Sequence, residues 1–159
     1  MNTENTTKRS CILAPDKWRE EFINLNGEWE FSFDAPTYER RITVPFSWAS
    51  PLSGIGEDVC GTGYYRRTLS LDIGGMHPFL IVGAADYECE VFLNGQALFS
   101  HRGGYMPIEV DLLPAWREGE NILEIRVTDQ DVGGQTMGKQ CYGAIRGIWQ
   151  TVWKGPDRM

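Results

Sequence analysis

Apolar and polar residues alternate along much of the chain with a period of two, which predicts β-strands with one buried face. The segment "EWEFSFD" (28–34) places a tryptophan and two phenylalanines on one face, and two glutamates and a serine on the other. The segment "NILEIRVTD" (121–129) places Leu123, Ile125 and Val127 on one face in the same way. Both segments are therefore predicted to be half-buried strands.

Other strand signals come from a turn and from runs of apolar residues. "YECEVFLNGQALFSH" (87–101) predicts a hairpin, because Asn94 and Gly95 suit the two positive-φ positions of a type I′ turn. "PFLIVGA" (78–84) is apolar throughout and fits a central strand of a sandwich. "GIWQTVW" (147–153) is predicted as the last strand.

Helix signals are nearly absent. "DLLPAWREGE" (111–120) holds at most one turn, because Pro114 and Gly119 bracket it. About nine strand candidates are separated by Gly, Pro and Asn, which indicates an all-β sandwich rather than an α/β fold. Residues 1–20 are polar and irregular and are expected to form an N-terminal arm, and the sandwich is expected to span 21–154.

Charge and composition narrow the possible partners. The formal net charge is −7, so nucleic acid and anionic membrane surfaces are not expected as partners. No segment approaches the ~20 apolar residues of a membrane span, and the first residues lack a signal peptide, so the default expectation is cytoplasmic. The four cysteines form no CxxC motif and are expected to be free thiols. No metal site or cofactor is expected.

Two regions carry polar side chains suited to a ligand, and each has a structural alternative. Asp129, Asp131, Lys139 and Gln140 lie in or beside a glycine-rich loop and together would bind sugar hydroxyls. The residues alone nevertheless favour a solvated turn with a charge pair. Asn94 offers an amide to a ligand, but the hairpin turn alone accounts for it. No residue is assigned a catalytic role.

The two histidines are far apart in the sequence. His77 and His101 lie 24 positions apart, each beside loop residues, and both are expected to be solvent-exposed loop histidines.

Seven segments occur in a fixed order along the chain: "LNGEWEFSFD", "ITVPFSWASPLSGIG", "YYRRTLSL", "ADYECEVFLNGQALFSHRGGYMPIEVDL", "GENILEIRV", "MGKQ" and "GAIRGIWQTVW". Together they resemble the N-terminal sugar-binding domain of family 2 glycoside hydrolases, the group of β-galactosidases and β-glucuronidases. The likeness covers roughly residues 22 to 153. It implies a jelly-roll β-sandwich of the galactose-binding-like type.

The resemblance also implies a role and partners. In that family an immunoglobulin-like sandwich and a TIM barrel follow, and the two catalytic glutamates lie in the barrel. The chain is then expected to be a non-catalytic accessory domain, with residues 155–159 starting the linker to those domains. The whole protein would hydrolyse a β-galactoside or β-glucuronide with retention. The implied substrate-rim candidates are Asn94, Asp129, Asp131, Lys139 and Gln140.

Two other functions fit the same residues. A stand-alone carbohydrate-binding module would stack sugars on exposed rings, although burial is the ordinary state of most tryptophans. A structural or dimer-contact domain would show an exposed apolar patch. The candidate rings for stacking are Trp48, Tyr105, Trp116 and Trp149.

Overall fold

A computed structural model describes residues 23–70, 75, 77–130 and 144–155. Within these residues the chain forms twelve strands and two single turns of 3-10 helix, Pro51–Ser53 and Leu113–Ala115. The second of these is the one turn predicted within residues 111–120, and it includes Pro114. The strands are β1 Ile23–Asn24, β2 Gly27–Phe33, β3 Arg40–Val44, β4 Gly61–Ser70, β5 Phe79–Val82, β6 Ala85–Asp86, β7 Glu88–Leu93, β8 Gln96–Arg102, β9 Ile108–Asp111, β10 Glu120–Asp129, β11 Gly147–Ile148 and β12 Val152–Gly155.

The strands form two antiparallel sheets that pack as a jelly-roll-like sandwich, which confirms the predicted fold class. The larger sheet has the order β3-β2-β4-β10-β7-β8, and the smaller has the order β1-β12-β5-β9. A two-stranded ribbon of β11 and β6 lies at one end. The longest ladder joins β4 to β10 over ten residue pairs, from Glu120 opposite Ser70 to Asp129 opposite Gly61. This ladder spans the larger sheet from one end to the other.

The core lies between the sheets and follows the predicted alternation. Trp29, Phe31, Leu123, Ile125 and Val127 are buried. The strand "PFLIVGA" is also confirmed as central, since β5 lies between β12 and β9 and all four of its residues are buried.

One polar residue departs from the alternation in β2. Ser32 was predicted on the solvent face, yet it is fully buried. Its hydroxyl donates a hydrogen bond to the Ala35 carbonyl at 2.5 Å. The chain that follows β2 therefore covers the outer face of the sheet at this point, and the serine is satisfied locally.

The predicted hairpin is confirmed. Asn94 has φ 52° and Gly95 has φ 80°, as a type I′ turn requires. A bulge between Val91 and Phe92 shifts the register of β7 against β8.

The prediction of a single last strand is wrong. The segment forms β11, which pairs with β6, and β12, which pairs with β1 and β5. Between them the backbone N–H groups of Trp149 and Gln150 both donate to the Ala84 carbonyl, so the chain bends there and changes sheets.

The histidines have different environments. His77 lies in a connection and is 39% exposed, as predicted. The prediction is wrong for His101, which lies within β8 opposite Cys89 and has a buried Nε2 atom.

Several other expectations concern residues that the structure describes only in part. Cys60 and Cys89 are both in the thiol form, as predicted, whereas Cys11 and Cys141 lie outside the described residues. The predicted arm and all but the first residue of the predicted linker also lie outside them. No helix within the described part of the chain is long and apolar enough to cross a membrane.

Candidate functional site

A buried ion-pair cluster lies at one end of the sandwich. Asp129 is the last residue of β10, and Arg146 directly precedes β11. Their side chains are 2% and 5% exposed, and Arg146 Nη1–H donates to Asp129 Oδ2 at 2.9 Å. Arg146 Nε–H donates to Asp58 Oδ1 at 2.6 Å. One guanidinium therefore joins two carboxylates that are distant in sequence.

The backbone of Arg146 ties the cluster to a third segment. Its N–H donates to Ser47 Oγ at 2.9 Å, and its carbonyl accepts from the Trp48 N–H at 3.1 Å. The Trp48 indole in turn donates to the Val59 carbonyl at 3.0 Å. The loops at this end are thus held by charged and backbone hydrogen bonds, which makes them a rigid surface.

Asp58 is the part of the cluster that a ligand can reach. Its side chain is 61% exposed, and only Oδ1 bonds to Arg146 among the described residues. Oδ2 therefore remains an acceptor for a hydroxyl group. Within the described residues, the two carboxylates and one guanidinium sum to a net charge of −1. No group of three or more His, Cys, Asp or Glu in the described residues is arranged to hold a metal ion.

Two aromatic rings extend the same end of the sandwich. Gly147 pairs with Asp86, and Trp149 follows within two residues. The Trp149 indole N–H donates to the Gly104 carbonyl at 2.8 Å. Its ring meets the Tyr105 ring edge to face, with centroids 5.8 Å apart. Tyr105 is 44% exposed, so the pair offers an aromatic surface.

Gly104 is required for this aromatic arrangement. A Cβ atom on Gly104 would lie 2.6 Å from Asp86 Cγ, closer than real Cβ atoms approach. The glycine therefore lets the chain that carries Tyr105 pack directly over Asp86.

Two of the predicted rim residues, Asn94 and Asp129, lie far apart in the structure. Asn94 lies level with Ile122, seven residues from Asp129 along β10, which corresponds to roughly 23 Å. Its side-chain amide donates to the Ala115 carbonyl and Asn121 Oδ1, and its oxygen accepts from the Ile122 N–H. These bonds occupy the amide, so a site that contains Asp129 is built without Asn94.

Three predicted rim residues, Asp131, Lys139 and Gln140, lie outside the described residues. Asp129 lies in the cluster, where its buried carboxylate holds Arg146. The sequence reasoning missed Arg146 and Asp58. The available signals were an arginine directly before the apolar segment "GIW" and an aspartate within a glycine-rich loop.

Comparison with known protein families identifies the type of domain. The family model for the sugar binding domain of glycosyl hydrolases family 2 matches residues 6–153. The chain belongs to this family. This domain is a non-catalytic accessory domain. The relatives that it matches are much longer proteins.

Two curated relatives and one solved structure illustrate the match. A β-glucuronidase of Paenibacillus borealis is 25% identical over 117 residues, 64% of this chain and 20% of that protein. A β-galactosidase of Kluyveromyces lactis is 27% identical over 131 residues, 80% of this chain and 12% of that protein. The FMN-binding β-glucuronidase from Facaelibacterium prausnitzii L2-6 superposes with a TM-score of 0.68 at 25% identity, covering 84% of this chain and 22% of that chain. The family 2 domain thus spans a fifth or less of these two curated relatives.

Proposed function

We propose that this domain serves a family 2 glycosidase that hydrolyses a β-galactoside or a β-glucuronide with retention of configuration. The family match over nearly the whole chain carries the proposal, and the names of the relatives supply the two substrate classes. The catalytic carboxylates would come from a TIM barrel of the same protein, with an immunoglobulin-like domain between. A retaining enzyme needs two carboxyl groups about 5–5.5 Å apart.

The Asp129–Arg146 end is the part of the domain proposed to face the substrate. A rigid loop surface suits this role, because groups that position a substrate must themselves be fixed. The exposed Asp58 oxygen would accept a hydrogen bond from a sugar hydroxyl, and the Tyr105–Trp149 pair would contact the apolar face of a sugar ring. The buried Asp129 would act only through Arg146.

Two observations test the proposal: an activity assay of the 159-residue chain, and the coding sequence that follows it in the genome. The pure chain is expected not to release nitrophenol from nitrophenyl β-galactoside or β-glucuronide. The coding sequence after Met159 is expected to continue into a sandwich and a barrel. Measurable turnover by the chain alone would contradict the non-catalytic role. A reading frame that closes without a barrel would contradict the proposed parent enzyme.

A stand-alone carbohydrate-binding module is the second candidate. The exposed Tyr105 ring, packed against a half-buried Trp149, favours it. The other two rings named from the sequence offer less surface. Trp48 is fully buried, and Trp116 is half-buried beneath the Lys154 ammonium at 5.7 Å.

Titration calorimetry with galactosides and glucuronides decides this second candidate. Heat that disappears in Tyr105→Ala, with the fold retained by circular dichroism, would support it. The absence of heat at millimolar sugar would rule it out.

A further inference from the structure

Strand β8 forms one edge of the larger sheet. It is the last strand in the sheet order, and β7 is its only hydrogen-bonded neighbour among the described strands. Five of its seven residues are exposed. The run from Gln96 to Ser100 holds no charged residue and no proline. β8 therefore presents an accessible backbone edge with little charge along it.

The other edges of the two sheets carry features that hinder the addition of a further strand. β3 carries the adjacent residues Arg40 and Arg41, and β1 is only two residues long. β9 follows Pro107 and carries Glu109. Charged side chains, prolines and short strands are usual means by which proteins protect their sheet edges. Apart from a bulge near the turn, β8 has only Arg102, at its end.

The ladder with β7 determines which backbone groups of β8 point outward. The Gly103 N–H donates to the Tyr87 carbonyl at 2.9 Å. Because pairing alternates along an antiparallel ladder, the backbone of His101 also bonds to β7. By the same alternation, Ser100 and Arg102 direct their N–H and C=O groups away from β7. These outward groups bond to no described residue, so they are available to a further antiparallel strand.

The regular part of this edge matches a second copy of itself. The bulge at Leu98 ends the regular ladder on the side of the turn. A two-fold axis at His101 would place Ser100 opposite the partner's Arg102, and each such pair exchanges two backbone hydrogen bonds. A register shifted one step in one direction would oppose two arginines, and a shift in the other direction would involve the bulge. The sequence and the backbone direction therefore favour one pairing.

Charge and packing agree with this pairing. The net charge of −7 opposes self-association of the chain, but the edge itself carries only Arg102. That guanidinium lies 2.7 Å from Glu88 of its own chain, so its charge is balanced locally. Phe99 is 39% exposed, and its ring would pack over the partner's Gly103, which has no side chain to obstruct it.

We propose that two copies of this domain associate through β8, so that their larger sheets join into one continuous antiparallel sheet. In strand addition, main-chain hydrogen bonds supply the affinity. The complex is weak, because a single strand pair buries a small area. The inference does not rest on the proposed function, since neither Asp58 nor the Tyr105–Trp149 pair takes part.

Sedimentation velocity of the 159-residue chain tests the association. The chain is measured from roughly 10 to 500 μM, because small interfaces give dissociation constants in or above the micromolar range. A reducing agent is present throughout, since the exposed Cys60 thiol would otherwise be able to link two copies. The average mass is expected to rise with concentration, from that of one copy towards that of two.

Substitutions at Ser100 identify the contact. Ser100→Pro removes an outward N–H and leaves the ladder with β7 intact, so this variant is expected to stay monomeric over the whole range. Ser100→Lys faces the partner's Arg102 and is expected to weaken the dimer by about fivefold or more. Ser100→Asp faces the same arginine and is expected to strengthen the dimer by a similar factor. Opposite effects of the two charges do not arise from a loss of folding.

Thr68→Lys is the matched control, because it adds the same charge at an exposed position of β4, with two strands between it and β8. It is expected to leave the association unchanged, and circular dichroism checks the fold of every variant. A monomer at every concentration would overturn the proposal, as would a dimer that Ser100→Pro leaves intact. Weakening by Ser100→Asp as well as by Ser100→Lys would contradict the proposed pairing.

Discussion

Arg146 determines the geometry of the Asp129–Arg146 end at the scale of single residues. Its side chain is almost fully buried, and its guanidinium holds a buried carboxylate on one side and an exposed carboxylate on the other. Burying a charge is costly unless it is paired, so the three groups depend on each other. The Arg146 guanidinium thus links the exposed Asp58 to the buried Asp129.

Arg146→Met is expected to lower the free energy of unfolding by about 3 kcal/mol, because it leaves the buried Asp129 carboxylate without its guanidinium. Urea denaturation of the 159-residue chain measures the change. Arg102→Met is the matched control, since Arg102 is 70% exposed and pairs with a partly exposed glutamate. The control is expected to change stability by less than about 1 kcal/mol. Equal losses in both variants would show that the buried pair has no special role.

Asn94 is expected to matter for stability and not for sugar contact. Asn94→Ala removes three hydrogen bonds and places a Cβ-bearing residue without a local polar side chain at φ 52°, so a loss of about 2–3 kcal/mol is expected. Asn94→Gly relieves the backbone strain and is expected to lose less. The order of the two urea midpoints is the test, and a more stable alanine variant would refute it.

Local sequence signals predicted some residues of the site. Other residues could not be predicted, because only contacts between distant parts of the sequence bring them together. The turn at Asn94 follows from its own dipeptide, and the end of β10 at Asp129 follows from the alternation before it. Arg146 and Asp58 are 88 positions apart, and only the packing of two loops brings them together. Single-sequence patterns carry no information on such a contact.

At the scale of elements, the β11 segment depends on a glycine. Gly147 has φ 76°, and a Cβ atom there would lie 2.2 Å from Tyr65 Oη and 2.5 Å from Trp48 Cε3. The next residue, Ile148, donates its N–H to Tyr65 Oη at 3.3 Å. The bare backbone therefore lies directly on two core rings and carries Arg146 beside it.

Gly147→Ala is expected to destabilise the domain by more than about 3 kcal/mol, because strain at positive φ adds to a clash with two rigid rings. Gly119→Ala provides the control, since Gly119 has φ 83° but meets no atom within 4 Å. The control is expected to cost about 1 kcal/mol. Thermal unfolding of both variants measures the difference. Similar melting temperatures would show that the crowding is relieved by movement of Tyr65.

The strands were largely predictable, and the bend in the last one was not. Alternation over β2, β7 and β10 reports burial on one face, which is a local property. The sequence "GIWQTVW" has the same local character throughout. Its division between two sheets arises from the two hydrogen bonds to Ala84, a residue more than sixty positions away.

At the scale of the whole molecule, the burial of titratable groups in the core lowers the free energy of unfolding at alkaline pH. Cys89 is fully buried, and this burial raises the pKa of its thiol from 9.0 to about 12. Burial likewise raises the pKa of Tyr65. A raised pKa in the folded state means that the folded chain holds the proton more tightly, so stability is complete below pH 9 and is lost as the pH rises towards 12.

The free energy of unfolding is therefore expected to fall above about pH 9, by up to about 1.4 kcal/mol per pH unit for a single group. Urea denaturation at about pH 8 and about pH 11 measures the fall. Cys89→Ala is expected to show a smaller fall, and Cys60→Ala, at an exposed position, the same fall as the natural chain. An unchanged slope in Cys89→Ala would mean that the thiol does not contribute.

The ten-pair ladder between β4 and β10 holds the two ends of the larger sheet at a fixed separation. Changes at sites more than 7–10 Å apart usually add in their effects on free energy. The loops around Asp58 and the strand position of Thr68 lie well beyond that separation. A change at one end of the ladder, whether it arises by divergence or by engineering, is therefore expected to leave the free-energy contribution of the other end unchanged.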